Sequence, residues 1–205
     1  MSESPRQLVI VRHGETEWSL SGQHTGLSDI PLTPRGEEQA RDLLDNVGQR
    51  DFAAVLVSPR QRAWRTAELA GIEEFDIVDE LAEWDYGDLD GLTTAEYVSQ
   101  LEDAGLGPWN LWRDGAPNGE HADAVGARVD RVIERVRPVL LDDGDGTGDV
   151  LVVAHSHLLC VFVARWLGLP AAEGEGFLLD AAHRSVLTFK RGRPVIKYWN
   201  VPPTR

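Results

Sequence analysis

Apolar residues in this chain fall into two rhythms that alternate along its length. One is the short unbroken run: Gln7-Leu8-Val9-Ile10-Val11, Ala53-Ala54-Val55-Leu56-Val57 and Val150-Leu151-Val152-Val153-Ala154. Such runs, rich in β-branched residues, predict strands covered on both faces. The other rhythm repeats at three and four, as in a helix with one buried stripe. Thr33-Pro34 opens such a helix, with threonine placed to cap and proline tolerated at the first position. Its stripe is Ala40, Leu43, Leu44 and Val47, and it should stop near Gly48. Ser58-Pro59 turns the second strand into a helix that faces inward with Ala63, Thr66, Ala67 and Ala70. The clearest helix runs from about Glu120 to Val139, striped by Ala122, Val125, Val129, Val132, Ile133 and Val136, with Pro138 in its last turn. Another covers Leu158 to Leu167.

Less regular segments lie between. His13 to about Thr33 reads as a loop, Asp76 to Val78 as an edge strand, and Glu83 to Gly91 as an aromatic, acidic loop. Residues 93–117 read as a short helix and an irregular, tryptophan-rich cap, and Asp142 to Gly148 as a Gly/Asp connection. Ser185–Lys190 and Val195–Trp199 suit a closing hairpin around Arg191-Gly192-Arg193. Buried strands alternating with amphipathic helices predict an α/β fold, a three-layer sandwich with a mostly parallel central sheet. We expect one domain over residues 1–205 with a small helical cap around 92–118. In such sheets ligands bind beyond the carboxyl ends of the strands.

Composition narrows the function. The formal net charge of −14 argues against nucleic acid as a partner, because a phosphate backbone demands a clustered basic face. No apolar run approaches the roughly 20 residues of a membrane span, and Met1 to Arg6 carries no signal-peptide pattern, so no membrane association is expected. The one cysteine, Cys160, lies in an apolar segment and reads as a core residue; a reducing cytoplasm is the expected compartment.

Three strands end in residues capable of chemistry: Arg12-His13 after the first, Ser58, Arg60 and Arg62 after the second, and His155-Ser156-His157 after the late one. Arginines and histidines gathered in an acidic chain suit an anionic substrate. Phosphoryl transfer needs an electrostatic cradle and an in-line nucleophile. Arginine's planar fork serves the cradle, and neutral imidazole can attack phosphorus and leave again. A leaving oxygen needs a proton from a nearby acid, and the helix after His155 could offer N–H groups to phosphate. Arg60 and Arg62 compete for the cradle, and Glu83, Asp85 and Asp88 for the acid. His155 and His157 with an acidic residue would resemble a metal site, but neighbouring arginines would repel the ion, so no metal is expected. His24, His121 and His183 read as loop or surface residues, His24 being the best placed to meet substrate; Trp109 and Trp112 line the pocket or pack the cap.

Five segments in order carry a family resemblance. Arg12-His13-Gly14-Glu15-Thr16 resembles the RHG motif of the histidine phosphatase superfamily, to which phosphoglycerate mutases and many small phosphatases belong. Asp29-Ile30-Pro31-Leu32-Thr33-Pro34-Arg35-Gly36, Ser58-Pro59-Arg60-Gln61-Arg62-Ala63, Leu81-Ala82-Glu83-Trp84-Asp85-Tyr86-Gly87 and Val153-Ala154-His155-Ser156 resemble its other motifs. Loop segments such as Gly22-Gln23-His24-Thr25-Gly26 and Pro108-Trp109-Asn110-Leu111-Trp112 resemble sedoheptulose bisphosphatase-type and small acid phosphatase members.

The resemblance implies a phosphoglycerate mutase-like fold with His13 as nucleophile and Glu83 as proton donor. It implies that Arg12, Arg62 and His155 hold the phosphoryl oxygens, the spacing selecting Arg62 over Arg60. Ser19, Thr25, Gly26, Ser156 and His157 are the further expected substrate contacts. No metal or organic cofactor is implied, and a homodimer through an edge strand is common in the family. Departures are Ser19 where asparagine is usual, Asp90 where glutamate is common, and Ser156 in place of glycine. The implied activity is hydrolysis of small phosphomonoesters, sugar phosphates or bisphosphates, through a phosphohistidine. A phosphoglycerate mutase, a broad-specificity acid phosphatase and a non-catalytic binding module are the alternatives. The mutase needs longer insertions over the pocket, and the module would have lost one of the five residues.

Overall fold

The computed structural model describes residues 6–141 and 148–203; the predicted connection at 142–148 lies outside them except for Gly148. Six strands, β1 (Leu8–Arg12), β2 (Phe52–Val57), β3 (Asp76–Ile77), β4 (Asp149–Ala154), β5 (Arg184–Lys190) and β6 (Arg193–Val201), form one sheet in the order β3-β2-β4-β1-β5-β6. The first four are mutually parallel, while β5 is antiparallel to β1 and β6 antiparallel to β5. The α/β fold with its mostly parallel sheet is as expected.

Successive side chains of a strand point to opposite faces, and the core divides accordingly. Leu8, Ile10, Val150, Val152 and Ala154 pack on one side with α6 (Ala122–Leu141) and α7 (Ser156–Trp166). Val9, Val11, Leu151 and Val153 pack on the other with Ala63 and Ala67 of α3 (Gln61–Leu69) and with Leu43 and Val47, which follow α2 (Pro34–Arg41). The unbroken apolar runs therefore serve two layers at once. The remaining helices are α1 (Glu17–Ser21), α4 (Thr94–Asp103) and α5 (Leu111–Asp114).

Two local expectations change. Residues 13–33 are not all loop: Thr16 and Ser19 close a capping box around the five-residue α1. The helix from Pro34 does not run evenly to Gly48. It stops at Arg41 and resumes as a wide π turn at Leu44–Gly48, which keeps Leu43 and Val47 buried and turns Leu44 outward, 44% exposed. The closing hairpin turns at Arg191-Gly192, both at positive φ (54° and 75°), the pair of conformations a two-residue hairpin turn requires.

Candidate active site

The carboxyl ends of β1, β2 and β4 meet where the sheet's strand order reverses, and the polar residues at those ends are almost wholly buried. His13 follows β1. Its Nδ1 lies 2.6 Å from the Gly14 carbonyl oxygen. A carbonyl only accepts, so Nδ1 carries the proton and Nε2 the lone pair. Burial, then the charges of Arg62 and Arg12, hold the ring well below the ordinary imidazole pKa, so it stays neutral and nucleophilic.

That placement depends on two glycines. A Cβ on Gly14 would overlap the Gly36 carbonyl oxygen, and one on Gly36 the Glu15 carbonyl oxygen. Only bare backbone lets the first turn of α2 press against the loop after β1. Thr66, from α3, accepts the Gly14 N–H at 3.0 Å and donates to the Arg62 carbonyl at 2.7 Å, tying that loop to α3.

His155 follows β4, its ring centroid 5.1 Å from that of His13. Arg62 Nε donates to its Nδ1 at 3.1 Å, which leaves the proton on Nε2, and Nε2–H donates to Ser58 Oγ at 2.7 Å. Burial and the Arg62 charge keep this imidazole neutral too. Arg62 is fully buried and also donates to the carbonyls of Ser28 (3.0 Å) and Thr25 (2.9 Å). Asp90 holds the same loop from the opposite side, accepting from the N–H groups of Gly26 and Ser28 and from the Ser28 hydroxyl. The aspartate at this departure position thus reaches the loop directly.

A cavity of about 280 Å³ opens in front of His13, lined by Arg12, Ser19, Thr25, Glu83, Ser156 and His157 together with Trp18, Gln23, His24, Tyr86 and Thr94. Most expected contacts are thus brought together. Arg62 and His155 stand one layer behind His13, and Gly26 is also off the wall. Ser19 reaches the wall with its hydroxyl committed to the α1 cap. Arg60 is the N-cap residue of α3, away from the wall. Arg12 donates Nη1 to the Leu179 carbonyl at 2.6 Å, while its buried Nε has no partner and is a donor left over for an anion. Burial opposes the charges of both Arg12 and Arg62, and Glu83 is the leading group that sustains them.

Glu83 caps α7. Its Oε1 accepts the N–H groups of Trp84 and Leu158, both at 2.9 Å, and Oε2 accepts that of His157 at 3.2 Å. The helix N-terminus expected to face phosphate is therefore taken up by this carboxyl. Oε1 is saturated by two bonds, and Oε2, with one longer bond, is the oxygen with capacity for a substrate.

Sequence reasoning did not identify Tyr86 and Thr94 as wall residues. Tyr86 OH lies 2.6 Å from His157 Nδ1, and Thr94 Oγ1 lies 3.1 Å from His24 Nε2. Burial is the main cause that lowers the pKa of His24 and of His157 to about 4, and it pushes the Tyr86 phenol well above its usual value. The outer wall is thus uncharged at neutral pH and rich in hydrogen-bonding groups. Trp112 packs edge-on against His157, ring centroids 5.2 Å apart, and Trp109 packs on Tyr97, so both tryptophans brace the segment rather than line the cavity. His121 is exposed and His183 half-buried, away from this wall. Among the described residues no group of three His, Cys, Asp or Glu is placed to hold a metal ion, and no helix is long and apolar enough to cross a membrane.

Comparison with known proteins agrees with this geometry. A family model of the histidine phosphatase superfamily (branch 1) matches residues 8–202. Sedoheptulose 1,7-bisphosphatase of Saccharomyces cerevisiae is 39% identical over 189 residues, covering 82% of this chain and 69% of that protein. An acid phosphatase of Mycobacterium tuberculosis is 36% identical over 188 residues, covering 91% and 88%. The solved structure of the Mycobacterium tuberculosis Rv3214 product superposes with a TM-score of 0.87 at 33% identity, covering 97% of this chain and 99% of that one.

Proposed function

Because this chain belongs to the histidine phosphatase superfamily and is a phosphoric monoester hydrolase, we propose that His13 is its nucleophile and a small sugar phosphate its substrate. The observation that carries the reading is the His13 ring: neutral, its Nδ1–H locked on Gly14, its Nε2 lone pair in a cavity shared with Arg12 and Glu83. Nε2 attacks phosphorus while the bond to the ester oxygen breaks, and the Glu83 carboxyl gives that oxygen its proton. The Glu83 carboxylate then takes a proton from water as the water oxygen bonds to phosphorus. The N–P bond breaks, its electron pair returns to Nε2, and inorganic phosphate leaves.

Arg12 holds the phosphoryl oxygens with the donors it presents to the cavity. Arg62 acts from behind through its charge, already felt at His13. The His155 Nε2–H that Ser58 accepts is the donor a phosphoryl oxygen would take over. The uncharged outer wall of His24, Tyr86, Thr94 and His157 suits a hydroxyl-rich leaving group, which supports a sugar phosphate. We read α4 and α5 as a cap within one domain, since Thr94 reaches the cavity and Trp112 braces its wall. A cytoplasmic location fits the single buried thiol, and a homodimer along the free edge of β6 fits the sheet order.

Phosphate release should be measured from p-nitrophenyl phosphate and from a panel with sedoheptulose and fructose bisphosphates, phosphoglycolate, phosphoserine, 3-phosphoglycerate and nucleotides. We expect turnover of sugar phosphates and an acid-labile phosphoenzyme that is absent in His13→Ala. Phosphate binding without turnover on any of them would overturn the reading.

A further inference from the structure

The loop that carries Glu83 rests on a partly buried ion pair outside the cavity. Arg128, on α6, makes a two-pronged bond to Glu120: Nε to Oε1 and Nη2 to Oε2, both at 2.9 Å. The same guanidinium donates to the carbonyls of Glu80 (2.7 Å), Ala82 (2.5 Å) and Glu83 (3.1 Å). Glu120 accepts the Asp85 N–H at Oε2 (2.9 Å) and the Trp84 indole N–H at its carbonyl (2.9 Å), and donates its own N–H to the Asp85 carbonyl (2.8 Å). The backbone on both sides of Glu83 thus ends on two residues, whose side chains are only 11% and 23% exposed.

From this juxtaposition we propose that Arg128 and Glu120 are positioning residues for Glu83, fixing the backbone from which its carboxyl reaches the leaving-group oxygen. The proposal rests on Glu83 as the proton donor. The planar, five-donor fork of arginine matches this set of in-plane acceptors, whereas a lysine ammonium is a point charge that cannot satisfy them together. A proton donor must sit within hydrogen-bond reach of the atom it serves, so a shift of this loop costs proton transfer before it costs binding.

That order of losses separates positioning from mere stability. An alkyl leaving group needs the proton, while p-nitrophenolate leaves without it, and kcat/KM on either substrate reports the steps up to the phosphohistidine. We therefore expect Arg128→Lys to lower kcat/KM about 10- to 100-fold on glycerol phosphate and less than about 3-fold on p-nitrophenyl phosphate, within the roughly 10²–10⁴-fold that general acids contribute. Glu120→Gln, nearly isosteric, should show the same selectivity and carries the test if Arg128→Lys does not fold. Arg165→Lys is the control, because Arg165, in the last turn of α7, makes a similar two-pronged bond to Asp130 of α6, and its remaining bond goes to the Leu169 carbonyl. Equal losses on both substrates, or a profile like that control, would overturn the proposal. If Glu83→Gln shows the selective loss and neither clamp variant does, the clamp alone falls. If Glu83→Gln shows no selective loss, the proton-donor reading and the clamp fall together.

Discussion

At the scale of single residues, the site runs on neutral imidazoles placed beside guanidinium charges. His13 must be unprotonated to attack phosphorus. Burial, Arg62 and Arg12 all move its proton loss in the same direction, to lower pH. The activity should therefore persist as pH falls through 6.5, the ordinary imidazole value, with its acid limb well below that. The measurement is kcat/KM on p-nitrophenyl phosphate between pH 4 and 8, corrected for the substrate's own ionisation, which phosphomonoesters undergo near pH 6. A limb centred on the ordinary value would mean that burial and the two arginines do not lower the His13 pKa in the free enzyme. His155 is neutral for the same physical reasons, but its Nδ1 lone pair is taken by Arg62 and its Nε2 carries the proton that Ser58 accepts. It can therefore donate to an oxygen and has no lone pair left to attack phosphorus. The two histidines that look alike at their strand ends thus play different parts.

At the scale of elements, what could be read from the sequence was whatever repeats locally. The strands and the helices with buried stripes stand out because their apolar periods are long enough to count, and the motif residues Arg12, His13 and Glu83 do meet at one cavity. α1 was hidden because it has five residues, none buried, and so shows no period. Part of the outer wall was hidden for another reason. His157 and His24 could be expected to meet substrate, but Tyr86 and Thr94 lie in separate segments, and only tertiary packing makes them neighbours of those histidines. Gly14 and Gly36 show how far a motif can be explained once the elements are in place, since each makes room for backbone from the other segment. Gly36→Ala should therefore lower stability by about 1–3 kcal/mol, as overpacking against backbone does, and lower kcat as well by displacing the loop that sets His13. Gly192→Ala is the comparison: it sits at positive φ with open space around it, so it should cost about 1–2 kcal/mol and leave kcat unchanged. Denaturant midpoints with kcat for both variants decide the matter, and equal kcat in the two would show that the close approach does not position the site.

At the scale of the whole molecule, the cost of this chemistry appears as pH-dependent stability. His13, His24, His155 and His157 all have folded pKa values below the unfolded 6.5, the second and fourth near 4. Below pH 6.5 the unfolded chain therefore binds more protons than the folded one, and stability falls with pH until the folded values are reached. For His24 and His157 the linkage amounts to about 2 kcal/mol each between pH 7 and 5, and the other two act in the same direction. An opposing effect comes from the net charge of −14, whose self-repulsion fades on acidification toward the pI near 4.8. The two can be separated by salt. Surface repulsion is screened within about 3 Å at 1 M ionic strength, whereas buried groups are screened much less. In 1 M sodium chloride, urea unfolding should thus show a loss of at least about 4 kcal/mol from pH 7 to pH 5, a large part of the roughly 5–15 kcal/mol typical of folded proteins. A flat or rising profile under those conditions would mean that the histidines take up protons in the folded protein, and the uncharged outer wall inferred for the cavity would then be lost as well.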